Sequence, residues 1–588
     1  MRGFAKLRRF VRDDETRFIE LTRHFFKRFF DTELISKNAD AHLGVAHILA
    51  MLPIPGVAYA LFAFFVYSYI YWHFTQALYD AVSTADQCRY VLFSMAVIGL
   101  VAVLEWDALF PDARDYAILT PLPLKLRTIF GAKVVALLMF LGLFVVAVAG
   151  IPVVFYPLMA VWGLRPDATF GHFAMMIVAH GVAVFSGCLF TFLFFVALQG
   201  VLINLLTARQ FRKMSVYVQA VATVVIVCLF FLLPVIPALL TRWETSRIRL
   251  LFALPPMWFL GLYRVLLGSP SALWLSLARI AILAFALSIV VSIAAYWLCY
   301  KRQSQMALES PGTQAKWRFG AGVLAGRIID RLALSEGRER ATFYFVLKTL
   351  SRSAKHRLYF VAYVSVGLGL VLIGIFEMAV RSTHGNLWAA FDRPGEALLS
   401  VPLVVSFFTL SGMRIVFGYP AELKGNWIFQ ITDEGDGRKY LAGVRKAMIA
   451  VAVAPVFAVT FVPDALLWGV PVALLTVLFG VLLSLILMEI LLYAFHKIPF
   501  TCSHLPGKAN LPALGVVYWL AFTLYAYSAA SLERWMLHHP AAWIIAVAAD
   551  IAVLQRLIAR RNRALARGFS FEYEDPPWPA VQSLGLNG

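Results

Sequence analysis

The fold of this chain is decided by long apolar stretches, of which the clearest reads Ala132-KVVALLMFLGLFVVAVAGIPV-Val154. After Lys133 this stretch contains no charged residue. A helix needs roughly 20 apolar residues to cross a hydrocarbon core about 30 Å thick. It also satisfies its own backbone hydrogen bonds, as the lipid environment requires. The stretch therefore predicts a transmembrane helix.

Composition extends this prediction to the whole chain of 588 residues, which is 61% hydrophobic and only 14% charged. A soluble protein of this size needs more charge to cover its surface. We predict an all-α polytopic membrane protein with about twelve transmembrane helices. The expected spans lie near 47–72, 90–110, 130–154, 172–205, 215–240, 273–299, 357–379, 397–417, 444–465, 470–495, 511–530 and 541–559.

The net charge of +19 indicates a membrane orientation and not a nucleic-acid partner. Lys and Arg cluster in short segments between apolar stretches, as they do in cytoplasmic loops. The loop at 241–272 is an exception, since it holds four arginines. We expect a multi-pass protein of the inner (cytoplasmic) membrane of a bacterial cell, with both termini in the cytoplasm.

The five cysteines are odd in number and widely scattered, which argues against a disulfide framework. Cys502 lies close in sequence to His496 and His504, but no fourth ligand with a recognised zinc spacing accompanies them. We predict no metal site.

The order of elements occurs twice along the chain. Each half opens on an amphipathic basic helix, Phe18-IELTRHFFKRF-Phe30 in the first and Phe343-YFVLKTLSRSAKHR-Leu358 in the second. Such helices lie along a membrane surface, held by apolar burial and anionic lipid. An even number of spans in each half makes the repeat parallel, so we predict two parallel six-helix halves, each preceded by an amphipathic interfacial helix.

This layout predicts five regions along the chain. They are a cytoplasmic amphipathic segment (1–44), a first six-span half (45–300), a cytoplasmic linker with the second amphipathic helix (301–356), a second six-span half (357–560) and a cytoplasmic tail (561–588).

A long charged loop follows the second span of each half, and these loops are the best candidates for a functional site. Ordinary connectors in helix bundles have about 2–8 residues, and both loops are longer. The candidate residues are Pro111, Asp112, Arg114, Asp115, Tyr116, Pro121, Pro123 and Lys133 in the first loop, and Lys424, Trp427, Asp433, Glu434 and Arg438 in the second.

The first loop reads Asp115-YAILTPLPLKLRTIFGA-Lys133, and a later segment reads Leu254-PPMWFLGLYRVLLG. With the amphipathic helix and six spans, this order resembles the permease subunit of a type 2 ABC exporter over roughly the first 300 residues. The second half matches in layout only, since Thr432-Asp-Glu-Gly-Asp436 replaces Pro-Leu-Pro.

The resemblance implies that the two loops dock on a separate ABC ATPase subunit, itself a dimer, which drives transport. This chain would not be an enzyme. It would bind no cofactor, and ATP and Mg²⁺ would lie on the partner. Pro506-Gly-Lys-Ala509 ends in Ala where a phosphate-binding loop needs Ser or Thr for Mg²⁺. The partners would be the ATPase and membrane lipid, and the substrate stays open.

Four ionisable residues fall within apolar stretches, namely His180, Arg279, Glu489 and Asp550. Such groups are costly in lipid and often mark a translocation path. The alternatives are pairing inside the bundle or, for Arg279, extension of the side chain to the membrane surface.

Three other functions fit the same composition. An ion- or proton-coupled secondary transporter would depend on the buried acids Glu489 and Asp550. A membrane-embedded enzyme acting on lipid or cell-wall precursors would need converging polar residues, which the sequence does not display. A non-transporting scaffold would need neither.

Overall fold

A computed structural model gives the fold. It describes residues 16–29, 49–73, 76–110, 119, 126–162, 169–235, 252–269, 271–308, 337–381, 391–421, 426–432, 437–493, 495, 497–501 and 511–566. Those residues contain helices and turns but no strand. The chain divides into two compact units, Met1–Gln314 and Ala315–Gly588.

The first unit contains one short amphipathic helix, six long helices and one further short helix. They are α1 (16–28), α2 (Ile54–His73), α3 (Gln76–Leu104), α4 (Leu126–Trp162), α5 (Phe170–Leu205), α6 (Ala208–Phe231), α7 (Pro255–Leu266) and α8 (Ala272–Leu308).

Helix α5 is the centre of the first unit, where it packs against α3, α4, α7 and α8. Helix α7 lies in the segment that follows Leu254, and it begins on a proline, whose fixed φ suits a first turn. It packs tightly on α8, since a Cβ at Gly261 would lie 2.5 Å from the Cβ of Leu277. Glycine at this position allows the two backbones to approach.

The described residues of the second unit also form amphipathic, long and short helices. They are α9 (Gly337–Arg352), α10 (Ala354–Arg381), α11 (Glu396–Val416), α12 (Trp427–Thr432), α13 (Gly437–Met448), α14 (Ala454–Trp468), α15 (Val470–Leu492), α16 (Leu511–Thr523), α17 (Ala529–Leu537) and α18 (Pro540–Ala566).

Helix α11 is the centre of the second unit and packs against α10, α14, α15 and α17. Two π turns interrupt otherwise continuous helices, Ile449–Val453 between α13 and α14 and Leu524–Ser528 between α16 and α17. A π turn inserts an extra residue and often marks a functional position. The sequence pattern did not predict either turn.

Eleven helices among the described residues are long and apolar enough to cross a membrane, six in the first unit and five in the second. The protein is therefore a multi-pass, all-helical membrane protein, as predicted. The twelfth predicted span, 511–530, is helical but is not one of the eleven. The side chains of residues 511–516, in its apolar first part, lie outside the described residues.

Candidate functional site

The structure describes the two ends of the first long loop. The predicted contact residues Pro111, Asp112, Arg114, Asp115, Tyr116, Pro121 and Pro123 lie outside the described residues. The loop leaves α3 through a turn at Trp106–Phe110 and enters α4 at Leu126. The described residues therefore show how the two ends of this loop are held.

The start of the first loop is fixed to α5 and α8. Trp106 is fully buried, and the side-chain amide of Gln199 donates a 3.0 Å hydrogen bond to its carbonyl. The Tyr296 hydroxyl donates to the carbonyl of Leu109. The Tyr296 ring also stacks on Phe110, with the ring centroids 4.5 Å apart. Two long helices thus hold the turn from which the loop departs.

The end of the first loop is fixed by the amphipathic helix α1. Lys133, in the second turn of α4, is only 3% exposed, and its ammonium group lies 5.0 Å and 4.9 Å from the ring centroids of Phe25 and Phe29. A Cβ at Gly131 would lie 3.2 Å from the Phe18 ring. Lys133 therefore lies under α1, where its charge interacts with aromatic faces.

The Glu105 carboxyl interacts electrostatically with Lys133 and Asp107 at the two ends of the first loop. Burial raises the pKa of Glu105, the Lys133 ammonium lowers it and the negative charge of Asp107 raises it, and together these effects place it at about 7. The carboxyl at the end of α3 thus titrates close to neutral pH.

Of the residues predicted for the second long loop, Lys424, Asp433 and Glu434 lie outside the described residues. Trp427 begins the short helix α12, but its side chain also lies outside them. Arg438 is exposed in the first turn of α13.

The start of the second loop is fixed by the segment that follows α15. The backbone N–H of Phe500 donates to the carbonyl of Phe417, and the N–H of Ala421 donates to the carbonyl of Phe500, both at 2.9 Å. Phe500 has a φ of 64°, in the left-handed region that non-glycine residues seldom occupy. This conformation is held by its two hydrogen bonds and by complete burial of the ring.

Two buried polar side chains complete this connection. Nε2 of His356 donates a 2.9 Å hydrogen bond to the Tyr419 carbonyl. The Asn426 amide donates a 2.6 Å hydrogen bond to the Thr501 carbonyl. Burial raises the pKa of Tyr419. The described part of the segment 497–501 is therefore a packed support for the second loop.

The end of the second loop is fixed by the amphipathic helix α9. A Cβ at Gly443 would lie 2.5 Å from the carbonyl oxygen of Glu339 and 2.9 Å from Cβ of Thr342. Lys446 forms an ion pair with the Glu339 carboxylate. In each unit the amphipathic helix thus packs on the helix that follows the long loop.

Glu489, one of the predicted membrane-depth residues, forms ion pairs with two arginines. It is 3% exposed on α15, and its carboxylate pairs with Arg445 of α13 and, at 2.5 Å, with Arg561 of α18. Two guanidinium groups compensate the charge of this buried carboxylate. This geometry favours the alternative of pairing inside the bundle over a translocation path.

The other three predicted residues have different surroundings. His180 is fully buried, and its Nδ1 lies 3.1 Å from the Tyr263 hydroxyl, among the rings of Tyr90 and Tyr156. Arg279 is exposed on α8, as expected of a side chain that extends to the membrane surface. Asp550 is half-buried on α18, and its Oδ2 has no hydrogen-bond partner.

The sequence analysis missed a buried polar network in the first unit. The Tyr59 hydroxyl donates a 2.5 Å hydrogen bond to Asp86, and Arg89 forms an ion pair with the same carboxylate. The pairing of Asp86 with Arg89 could have been predicted from their i, i+3 spacing on one helix. The contribution of Tyr59 could not have been predicted, because it comes from another helix, α2.

The sequence analysis also missed two buried carboxyls of the second unit, Asp464 and Glu533, which have unpartnered oxygens. Among the described residues no three His, Cys, Asp or Glu side chains are grouped as metal ligands. His496 and Cys502 lie outside the described residues.

No family model matches the chain, and neither a curated protein nor a solved structure matches it.

Proposed function

We propose that this chain is the membrane-spanning permease component of an ATP-driven ABC-type exporter. The observation that carries the proposal is the shared support of the two long loops. In the first unit α1 packs on Gly131 and Lys133 just after the loop. In the second unit α9 packs on Gly443 and Lys446 at the corresponding place.

This support suits a loop that transmits force. A loop whose two ends are held by packed side chains moves together with the helices that hold it, because close-packed interiors transmit displacement. A push on the first loop would act on α4 and α1, and a push on the second on α13 and α9. An ordinary connector needs no such support.

The source of force would be a separate ABC ATPase with two nucleotide-binding domains, one for each loop. Its ATP-driven closure would displace both loops and tilt the attached spans, a rigid-body transition of a known type. ATP and Mg²⁺ would be bound by that partner. The two units would then form two half-permeases in one chain, with the substrate path in the membrane and both loops in the cytoplasm.

The test is ATP hydrolysis in proteoliposomes that contain the full chain and the ATPase encoded beside it. We expect the chain to stimulate hydrolysis, and Asp115→Ala or Glu434→Ala to reduce the stimulation. Glu20→Gln, on the exposed face of α1, serves as the control. If both loop variants stimulate hydrolysis as strongly as the unaltered chain, the proposal is wrong.

A further inference from the structure

Two carboxyls that interact electrostatically are buried in the second unit, on helices that do not border the second loop. Glu533 on α17 is 1% exposed, and Asp464 on α14 is 8% exposed. The charge of Asp464 acts directly on Glu533. Oε1 of Glu533 and Oδ2 of Asp464 are both buried without a hydrogen-bond donor. These two oxygens are unsatisfied acceptors in a non-aqueous environment.

No cation compensates the two carboxyls within the described part of the chain. The neighbouring Arg534 pairs with Glu396 of α11 at 3.2 Å, and both side chains are about half exposed.

Helix α15 contributes the Thr476 hydroxyl, and α14 contributes the unpartnered Thr460 hydroxyl, one turn before Asp464. Trp543 of α18 is buried beside Met536, and its indole N–H has no acceptor. His538 and His539 are exposed and bond to backbone carbonyls of their own helix.

A hydrogen bond from the Thr476 hydroxyl would favour ionised Glu533, but this hydroxyl also has a backbone acceptor. A hydroxyl has one hydrogen, and Thr476 donates it to the Val472 carbonyl at 3.1 Å. A carbonyl oxygen can only accept, so the hydrogen is committed to the backbone. The oxygen of Thr476 remains free to accept a hydrogen bond from a protonated Glu533.

Glu489 shows what an ionised carboxylate requires in the same unit. It is as deeply buried as Glu533 and is held by Arg445 and Arg561. A buried charge without such partners costs several kcal/mol, and a carboxyl in that position takes up a proton instead. Two neighbouring carboxyls strengthen the effect, because like charges disfavour ionisation.

We propose that Glu533 and Asp464 form a proton-binding site in which Glu533 is the carboxyl that holds the proton. Protonated Glu533 donates to the Thr476 hydroxyl, which donates in turn to Val472. The site needs no ATPase and uses none of the residues that hold the two loops, so it stands independently of the proposed exporter function.

The experiment is infrared spectroscopy of the purified full chain at neutral pH, which detects the C=O stretch of a protonated carboxyl. We expect this band in the unaltered chain, a weaker band in Glu533→Gln, where the Glu105 carboxyl still contributes, and an undiminished band in Glu489→Gln. Glutamine has nearly the same shape as a protonated glutamate, so the Glu533→Gln chain is expected to fold. Retention of its circular dichroism spectrum and gel-filtration volume checks this.

Asp464→Asn and sodium complete the test. We expect Asp464→Asn to keep the Glu533 band and to shift its titration to lower pH, because a negative neighbour is removed. Three outcomes overturn the proposal. They are a band that Glu533→Gln leaves at full intensity, no band at neutral pH in the unaltered chain, or a band that sodium abolishes at constant pH. The last outcome would assign the site to an alkali cation.

Discussion

Gly443 lies so close to Glu339 that a Cβ atom at position 443 would stand 2.5 Å from the Glu339 carbonyl oxygen. Real Cβ atoms do not come this close to a backbone oxygen, so the contact between α13 and α9 requires glycine. The Lys446–Glu339 ion pair holds the same two helices together. The end of the second loop is thereby attached to the amphipathic helix.

Gly443→Ala is expected to destabilise the second unit. The added methyl group must push α9 away, and overpacking of this kind costs about 1–3 kcal/mol. Gly374→Ala on α10 is the matched control, because a Cβ there meets nothing within 4 Å and alanine favours helix by up to about 1 kcal/mol. Thermal unfolding in detergent would show a lower midpoint for Gly443→Ala only, and equal midpoints would contradict the packing.

Glu489→Ala is expected to destabilise the protein by about 3–5 kcal/mol, because it leaves two partly buried guanidinium groups without their partner. The control is Arg534→Gln, whose pair with Glu396 is about half exposed and contributes about 0–1 kcal/mol. Denaturant titration of both variants measures the difference. A loss of similar size in the two variants would show that Glu489 is not a structural ion.

Tyr296→Phe is expected to loosen the start of the first loop, because it removes only the hydroxyl that donates to the Leu109 carbonyl. The loss is about 1 kcal/mol, concentrated at the Trp106–Phe110 turn. Limited proteolysis should cut the first loop faster in this variant. Tyr217→Phe, which alters an exposed tyrosine on α6, should leave the cleavage rate unchanged. Equal cleavage rates in the two variants would show that the Tyr296 hydrogen bond does not hold the start of the first loop.

The stability of the first unit is expected to depend on the titration of Glu105. Burial raises the pKa of Glu105 from 4.5 to about 7, so its ionised form is less favourable in the folded state than in the unfolded state. Through this group stability is greatest below about pH 4.5 and falls as the pH rises towards 7. Glu105→Gln should flatten that part of the profile, whereas Glu20→Gln should not. Identical profiles for Glu105→Gln and the unaltered chain would contradict this.

Hydropathy predicted the helices well, because a span is a local property of about twenty consecutive residues. Hydropathy could not predict the partners of Glu489, because Arg445 and Arg561 come from other helices. Glu489 lies between two guanidinium groups and Glu533 interacts with Asp464, a difference that the residues around each glutamate do not predict. The left-handed conformation of Phe500 could not be predicted from the sequence either, because it depends on hydrogen bonds to Phe417 and Ala421.

Affinity purification of the full chain from its native membranes tests the central claim most directly, with quantification of every co-purifying ATPase. We predict two nucleotide-binding subunits for each chain, and their depletion when Asp115 and Glu434 are both replaced by alanine. A chain that purifies without an ATPase, or that retains equal amounts of it after both substitutions, would contradict the account.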